Sequence, residues 1–142
     1  MNKIDIIGAL QWRYATKQFD TSKKIDEETL SILIEALRLA PSSNGLELRG
    51  FVIVQDPTIR QELRAAAYDQ KQITDASHLF VLCRKTHIDE KAVIDHVQRI
   101  SEVRGTPLAD LEKHQTGMIR SIQRRTPAEL EHWASRQVYI PL

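Results

Sequence analysis

Two short apolar runs, Phe51-Val52-Ile53-Val54 and Leu79-Phe80-Val81-Leu82-Cys83, stand in a chain whose other hydrophobic residues recur mainly at helical spacing. Each is too short for a helix. Neither alternates as a strand with one wet face would, so both read as strands covered on both sides. Two such strands rarely make a sheet on their own, so they must be buried by helices or by strands supplied from elsewhere. The strand, helix, strand order predicts a parallel pair with a right-handed crossover. The expected class is α+β, with helices around a small central sheet.

The helical segments are well punctuated. Ile4, Ile7 and Leu10 after Asn2 predict a helix over residues 3–12. Asp26 reads as an N-cap, with Glu27 and Glu28 in the dipole-favoured first turn. Leu30, Leu33, Ile34 and Leu37 then form a buried stripe that Pro41 ends. Asp56-Pro57 starts a helix predicted to bury Ile59, Leu63 and Ala66, and residues 78–83 form the second strand. From Asp89 onward everything reads as helix. Val93, Val97 and Ile100 share a face before Gly105, and Thr106-Pro107 and Thr126-Pro127 mark two further starts, Thr126 with Glu129 as a capping box. The last pattern, Leu130, Trp133, Gln137 and Ile140, is still running at Pro141-Leu142. An apolar helix cut off there, beside two strands, predicts a domain incomplete at its C-terminus.

With 142 residues the chain predicts one domain, residues 1–142. Its 20 basic and 19 acidic residues leave a formal charge of +1, which gives no pull toward nucleic acid or an anionic membrane. Cys83 is the single cysteine, so no intrachain disulfide forms; its apolar setting predicts a buried structural thiol, and a reducing, cytoplasmic location is expected. No signal-peptide core or membrane-length apolar run is present. His78, His87, His96, His114 and His132 lack metal-ligand spacing, so no metal site is expected. Arg120, Arg124 and Arg125 read as a solvated helix face before a phosphate-backbone patch.

Two stretches carry chemistry. Arg13-Tyr14-Ala15-Thr16-Lys17 sets two cations around a phenol and a hydroxyl where a helical pattern ends. Ala40-Pro41-Ser42-Ser43-Asn44-Gly45 is a loop rich in hydroxyl, amide and backbone donors. A cationic clamp with a hydrogen-bonding loop suits a phosphorylated cofactor, because phosphate takes Arg or Lys and the remainder takes directional donors. Read alone, each also fits a bland account, a solvated basic turn and a helix-ending loop.

Four ordered blocks change that balance: residues 13–19, 40–46, Asp75-Ala76-Ser77-His78-Leu79, and Trp133-Ala134-Ser135-Arg136-Gln137-Val138-Tyr139. In this order, across nearly the whole chain, they resemble the nitroreductase family of flavin-dependent oxidoreductases. The resemblance implies a dimeric α+β fold with one FMN at each of two sites built from both subunits. It implies hydride transfer from NADH or NADPH to the flavin, then reduction of a nitroaromatic, quinone or similar small-molecule acceptor in a ping-pong cycle. Carried over by position, Arg13 would meet the flavin phosphate, and Tyr14 and Ala15 would support phosphate and ribityl. Lys17 would lie near the flavin N1 and O2 edge as a tuning cation, with no side chain acting as nucleophile or base. Pro41, Ser42, Ser43, Asn44 and Gly45 would reach across from the partner subunit, and Asp69 and Gln72 would fall near the pyrimidine edge.

The chain departs from the family pattern in places. Glu47-Leu48-Arg49 stands where a Gln-Pro-aromatic run is common, and Asp69 replaces an amide. Both put anions beside a flavin that itself becomes anionic. The competing expectations are a non-catalytic module for oligomerisation or partner binding and, behind it, a small nucleic-acid-binding domain.

Overall fold

The computed structural model describes residues 5–141. Its elements run α1 (Ile6–Trp12), α2 (Glu27–Leu39), a 3-10 turn (Ser43–Gly45), β1 (Arg49–Val54), α3 (Pro57–Ala66), α4 (Gln72–Asp75), β2 (Leu79–Arg84), α5 (Glu90–Arg104), α6 (Leu108–Gln123) and α7 (Pro127–Val138). They group into two compact units. One takes the chain up to Ile25 with Ile53–Leu79; the other takes Asp26–Val52 with the chain from Phe80 onward.

The second unit holds the core. Leu46, Leu48, Val93, Val97, Met118 and Ile122 are buried together, with Leu130 and Trp133 packed against them. Val93 and Val97 are one helical turn apart on α5, which packs along α6. Most helix boundaries are those the sequence predicts, though at the Thr106-Pro107 start Pro107 itself takes the N-cap of α6, without a side-chain bond. Asp89 accepts from Ala92 N–H at 3.0 Å, Gly105 ends α5 at φ 66°, and Thr126 with Glu129 forms a reciprocal capping box on α7. Asp26 likewise accepts from Thr29 N–H at 2.6 Å. The α2 stripe is only partly covered: Leu30 is buried and Leu37 half-buried, whereas Leu33 and Ile34 are exposed.

The first unit is different in kind. None of its apolar side chains is buried among the described residues; its buried residue is Arg60. The helix predicted over residues 3–12 is capped by Asp5, which accepts from Gly8 N–H, and starts at Ile6; the expected Asn2 start and Ile4 lie outside the described residues. Ile6, Ile7, Leu10 and Trp12 are all exposed. On α3 the Asp56-Pro57 start is as predicted, but the burial is not. Ile59 and Ala66 are exposed, Leu63 is half-buried, and Arg60 occupies the inside position. Its guanidinium donates to the carbonyls of Ile73 (2.7 Å) and Ala76 (2.6 Å), so hydrogen bonds from a buried cation help join α3 to α4.

The sheet corrects the parallel expectation. Lys85 N–H, just past the end of β2, donates to Leu48 C=O, just before β1, at 2.9 Å. The strands are therefore antiparallel, and the helical connection returns the chain instead of crossing over. Within this chain neither strand is covered on both faces: β2 is half-buried throughout and Val52 is 51% exposed. Cys83 is half-buried rather than buried.

Candidate functional site

At Arg13 the backbone leaves α1 with ψ 140° after one last bond to Ala9 C=O, and the chain continues irregularly through Lys17. Arg13, Tyr14, Ala15 and Lys17 are exposed, and among the described residues neither cation pairs with a carboxylate. An uncompensated Arg and Lys within one short segment favour an anion. Ile25 N–H donates to Ser77 Oγ (2.9 Å), and Ser77 Oγ lies 3.0 Å from His78 Nδ1, which ties the chain beyond this segment to the start of β2. His78 is thus satisfied locally, as its place beside an apolar strand suggests.

Asp69 and Gln72 belong to the same unit as Arg13 and Lys17. Tyr68 (φ 56°) and Asp69 (φ 53°) are consecutive left-handed residues, a conformation L side chains adopt reluctantly. The turn is held because Asp69 N–H donates to Arg64 C=O and Arg64 Nε donates to Asp69 Oδ1 at 2.7 Å. The carboxylate that replaces the family's amide is therefore compensated by a guanidinium. Gln72 opens α4, the helix that Arg60 braces.

Pro41, Ser42, Ser43, Asn44 and Gly45 lie in the other unit. Asn44 (φ 55°), Gly45 (φ 71°) and Glu47 (φ 48°) are left-handed. Several bonds close the turn on itself. Gly45 N–H bonds Ser42 C=O, Leu46 N–H bonds Ser43 C=O, and Glu47 N–H bonds Ser42 Oγ. Ser43 N–H donates to the buried Gln137 Oε1 at 2.7 Å. Arg49 donates to the carbonyls of Ala40 and of Pro41 (2.9 Å), and His96 Nε2 lies 3.1 Å from Asn44 C=O. Ser43 Oγ and the Asn44 side-chain amide remain without a partner among the described residues.

Glu47, the other unexpected anion, sits beside a small cavity of about 260 Å³ whose lining includes Arg49, Lys85, His96 and Arg99. Arg99 comes within 3.9 Å of its carboxylate. Burial holds the His96 imidazole below its ordinary pKa, partly opposed by its bond to Asn44 and by the nearby Glu47 charge. Both departures from the family pattern thus carry their own counter-cations.

The residues present fit a flavin mononucleotide. Arg13 and Lys17 carry positive charge with no carboxylate partner among the described residues, and in the other unit Ser43 and Asn44 carry side-chain groups with none, which is the chemistry a phosphorylated cofactor takes. Sequence reading missed the residues that brace these segments: Arg49, His96 and Gln137 around the loop at 40–44, and Arg60 and Arg64 around Asp69 and α4. Only Gln137 gave a signal, as an amide on an apolar helix face. Elsewhere, Arg125 stacks on Trp133 at 4.8 Å beside an open depression of about 410 Å³, and Arg120 and Arg124 are exposed. Among the described residues no His, Cys, Asp or Glu cluster suits a metal.

A model of the Nitroreductase family matches residues 10–138. YfkO of Bacillus subtilis, which carries an NAD(P)H nitroreductase name, is 36% identical over 149 aligned residues, covering 99% of this chain and 66% of that protein. Among solved structures, ydfN of Bacillus subtilis, described as a nitroreductase, superposes with a TM-score of 0.81 at 18% identity, over 96% of this chain and 66% of its own. A nitroreductase from Exiguobacterium sibiricum, solved in complex with FMN, gives 0.78 at 17% identity, over 99% and 67%. At those identities the likeness establishes the fold, which is nitroreductase-like: mostly helical with a small two-stranded sheet. The chain spans about two thirds of the length of the relatives it matches, 66% of YfkO. It belongs to the nitroreductase family.

Proposed function

We propose that the chain serves an FMN-dependent oxidoreductase that draws electrons from NADH or NADPH and delivers them to nitroaromatics, quinones or similar small acceptors. The observation that carries this reading is the pair Arg13 and Lys17, exposed and without a carboxylate among the described residues, in a family member whose unit also holds Asp69 and Gln72. Arg13 takes the phosphate, and Tyr14 and Ala15 support phosphate and ribityl through their backbone. Asp69 and Gln72 border the pyrimidine edge. Lys17 stabilises negative charge at the N1 and O2 edge, where a fixed cation acts strongly in a partly dry site. Bound FMN supplies the redox chemistry, and donor and acceptor use the site in turn, in ping-pong order.

The Pro41–Gly45 loop of a second copy completes the site in this reading. A homodimer is supported by exposed apolar residues on α1 (Ile6, Ile7, Leu10) and α2 (Ile32, Leu33, Leu39), and by a unit that, among the described residues, buries no apolar side chain of its own. Residues 1–142 then belong to a single domain, and a lone cysteine suits the cytoplasm. Among the described residues no helix is long and apolar enough to cross a membrane.

The test is a flavin titration followed by reduction. The protein should take up FMN and the yellow band should bleach on adding NADH or NADPH, with Lys17→Ala slowing that bleaching. A colourless protein that takes up no added FMN would favour the non-catalytic module, and unchanged reduction in Lys17→Ala would remove the role given to that residue.

A further inference from the structure

The loop from Pro41 to Gly45 has an unusual source of rigidity. Its backbone carries two consecutive left-handed residues, Asn44 and Gly45, and a third at Glu47. Turn chemistry alone explains Gly45 and tolerates Asn44, and the left-handed Glu47 is tied back by its own N–H to Ser42 Oγ at 3.0 Å. Three side chains from separate elements hold the rest of the loop. From α7, Gln137 is 7% exposed and its Oε1 accepts from Ser43 N–H at 2.7 Å. From β1, Arg49 is 9% exposed and donates to the carbonyls of Ala40 and Pro41, the free end of α2. From α5, His96 Nε2 meets Asn44 C=O at 3.1 Å, and its ring is so close to Gly45 that a Cβ there would stand 3.2 Å from Cε1.

We infer that Gln137, Arg49 and His96 are positioning residues that preset this loop for its ligand, leaving Ser43 Oγ and the Asn44 amide among its side-chain groups without a partner. The inference rests on the cofactor reading above and deepens it. A loop held in its bound shape loses little conformational freedom on binding, so its holders raise affinity without touching the ligand. Gln137 is central. It meets an N–H that no other group of the turn accepts, and a half-buried donor stripped of its acceptor loses that bond with only partial repayment from water. The same frame accounts for Glu47. Its N–H bonds Ser42 Oγ while its carboxylate lies towards Arg99.

Gln137→Leu keeps the bulk and removes the acceptor, and His96→Gln keeps a donor that His96→Ala removes. Two readouts are taken on each full-length variant: amide exchange across residues 41–47 in the FMN-free protein, and the FMN dissociation constant by flavin fluorescence. Gln137→Leu should speed exchange at Ser43 and weaken FMN binding by about tenfold each, and His96→Gln should restore much of what His96→Ala loses. A lower melting temperature with exchange at 41–47 and FMN affinity both within twofold of the parent would overturn the inference, because a merely structural role predicts that outcome. Faster exchange in the variants than in a parent that itself binds no FMN would support the clamp while ending the cofactor reading, so the two failures are distinguishable.

Discussion

Arg60 offers the sharpest test of how the smaller unit is held together. It is 8% exposed, and its guanidinium donates through Nε to Ile73 C=O (2.7 Å) and through a terminal nitrogen to Ala76 C=O (2.6 Å). Arg60→Met keeps most of the stem and deletes both bonds. Hydrogen bonds from a charged donor are each worth about 1.5–3 kcal/mol. Both acceptors are only half-buried, so water recovers part of the loss and the net cost should be about 2–4 kcal/mol. Arg60→Lys can reach one carbonyl but not span both, and should lose roughly half as much. Urea unfolding gives the difference, and amide exchange over residues 72–77 localises it to α4. Arg60→Met within about 0.5 kcal/mol of the parent, the range of an ordinary surface change, would refute the bracing role.

Gly45→Ala should cost about 1–2 kcal/mol by denaturant unfolding, since φ 71° suits glycine and the new Cβ would press on His96 at 3.2 Å. Acid sensitivity follows from the α7 capping box. Bonds from Thr126 hold the Glu129 carboxyl below its ordinary value of 4.5, so its contribution is fully present above that value and is lost as pH falls below it through the lower folded value. Thermal melts between pH 3 and 6, with roughly that window set by the reference carboxylate values, should show a shallower decline in Glu129→Gln than in the parent.

What the sequence made legible were features written in local chemistry. Asp26, Asp89 and the Thr126–Glu129 box announce their helices because a cap is a contact between near neighbours. Strand direction was not legible. An apolar run looks the same whether its covering comes from helices or from outside the chain, and here Lys85 bonding Leu48 reverses the parallel expectation. Burial on α3 failed for a related reason: periodicity ranks Ile59 above Arg60, yet a guanidinium with two carbonyls to satisfy goes inside. The candidate site divides the same way. Arg13, Lys17 and the Ser43-Asn44 loop stand out as motifs, whereas His96 and Gln137 act through contacts 52 and 94 residues away, separations no motif records.

The claim that one copy's Arg13 and Lys17 share a cofactor with another copy's loop can be tested by mixing two crippled proteins. Arg13→Ala and Ser43→Ala/Asn44→Ala should each bind FMN poorly alone. Refolded together in equal amounts, half the dimers pair one of each, and each mixed dimer regains one intact site, so about a quarter of the parent's FMN capacity should return. Recovery of none, from variants shown to form mixed dimers, would contradict a site built from two chains.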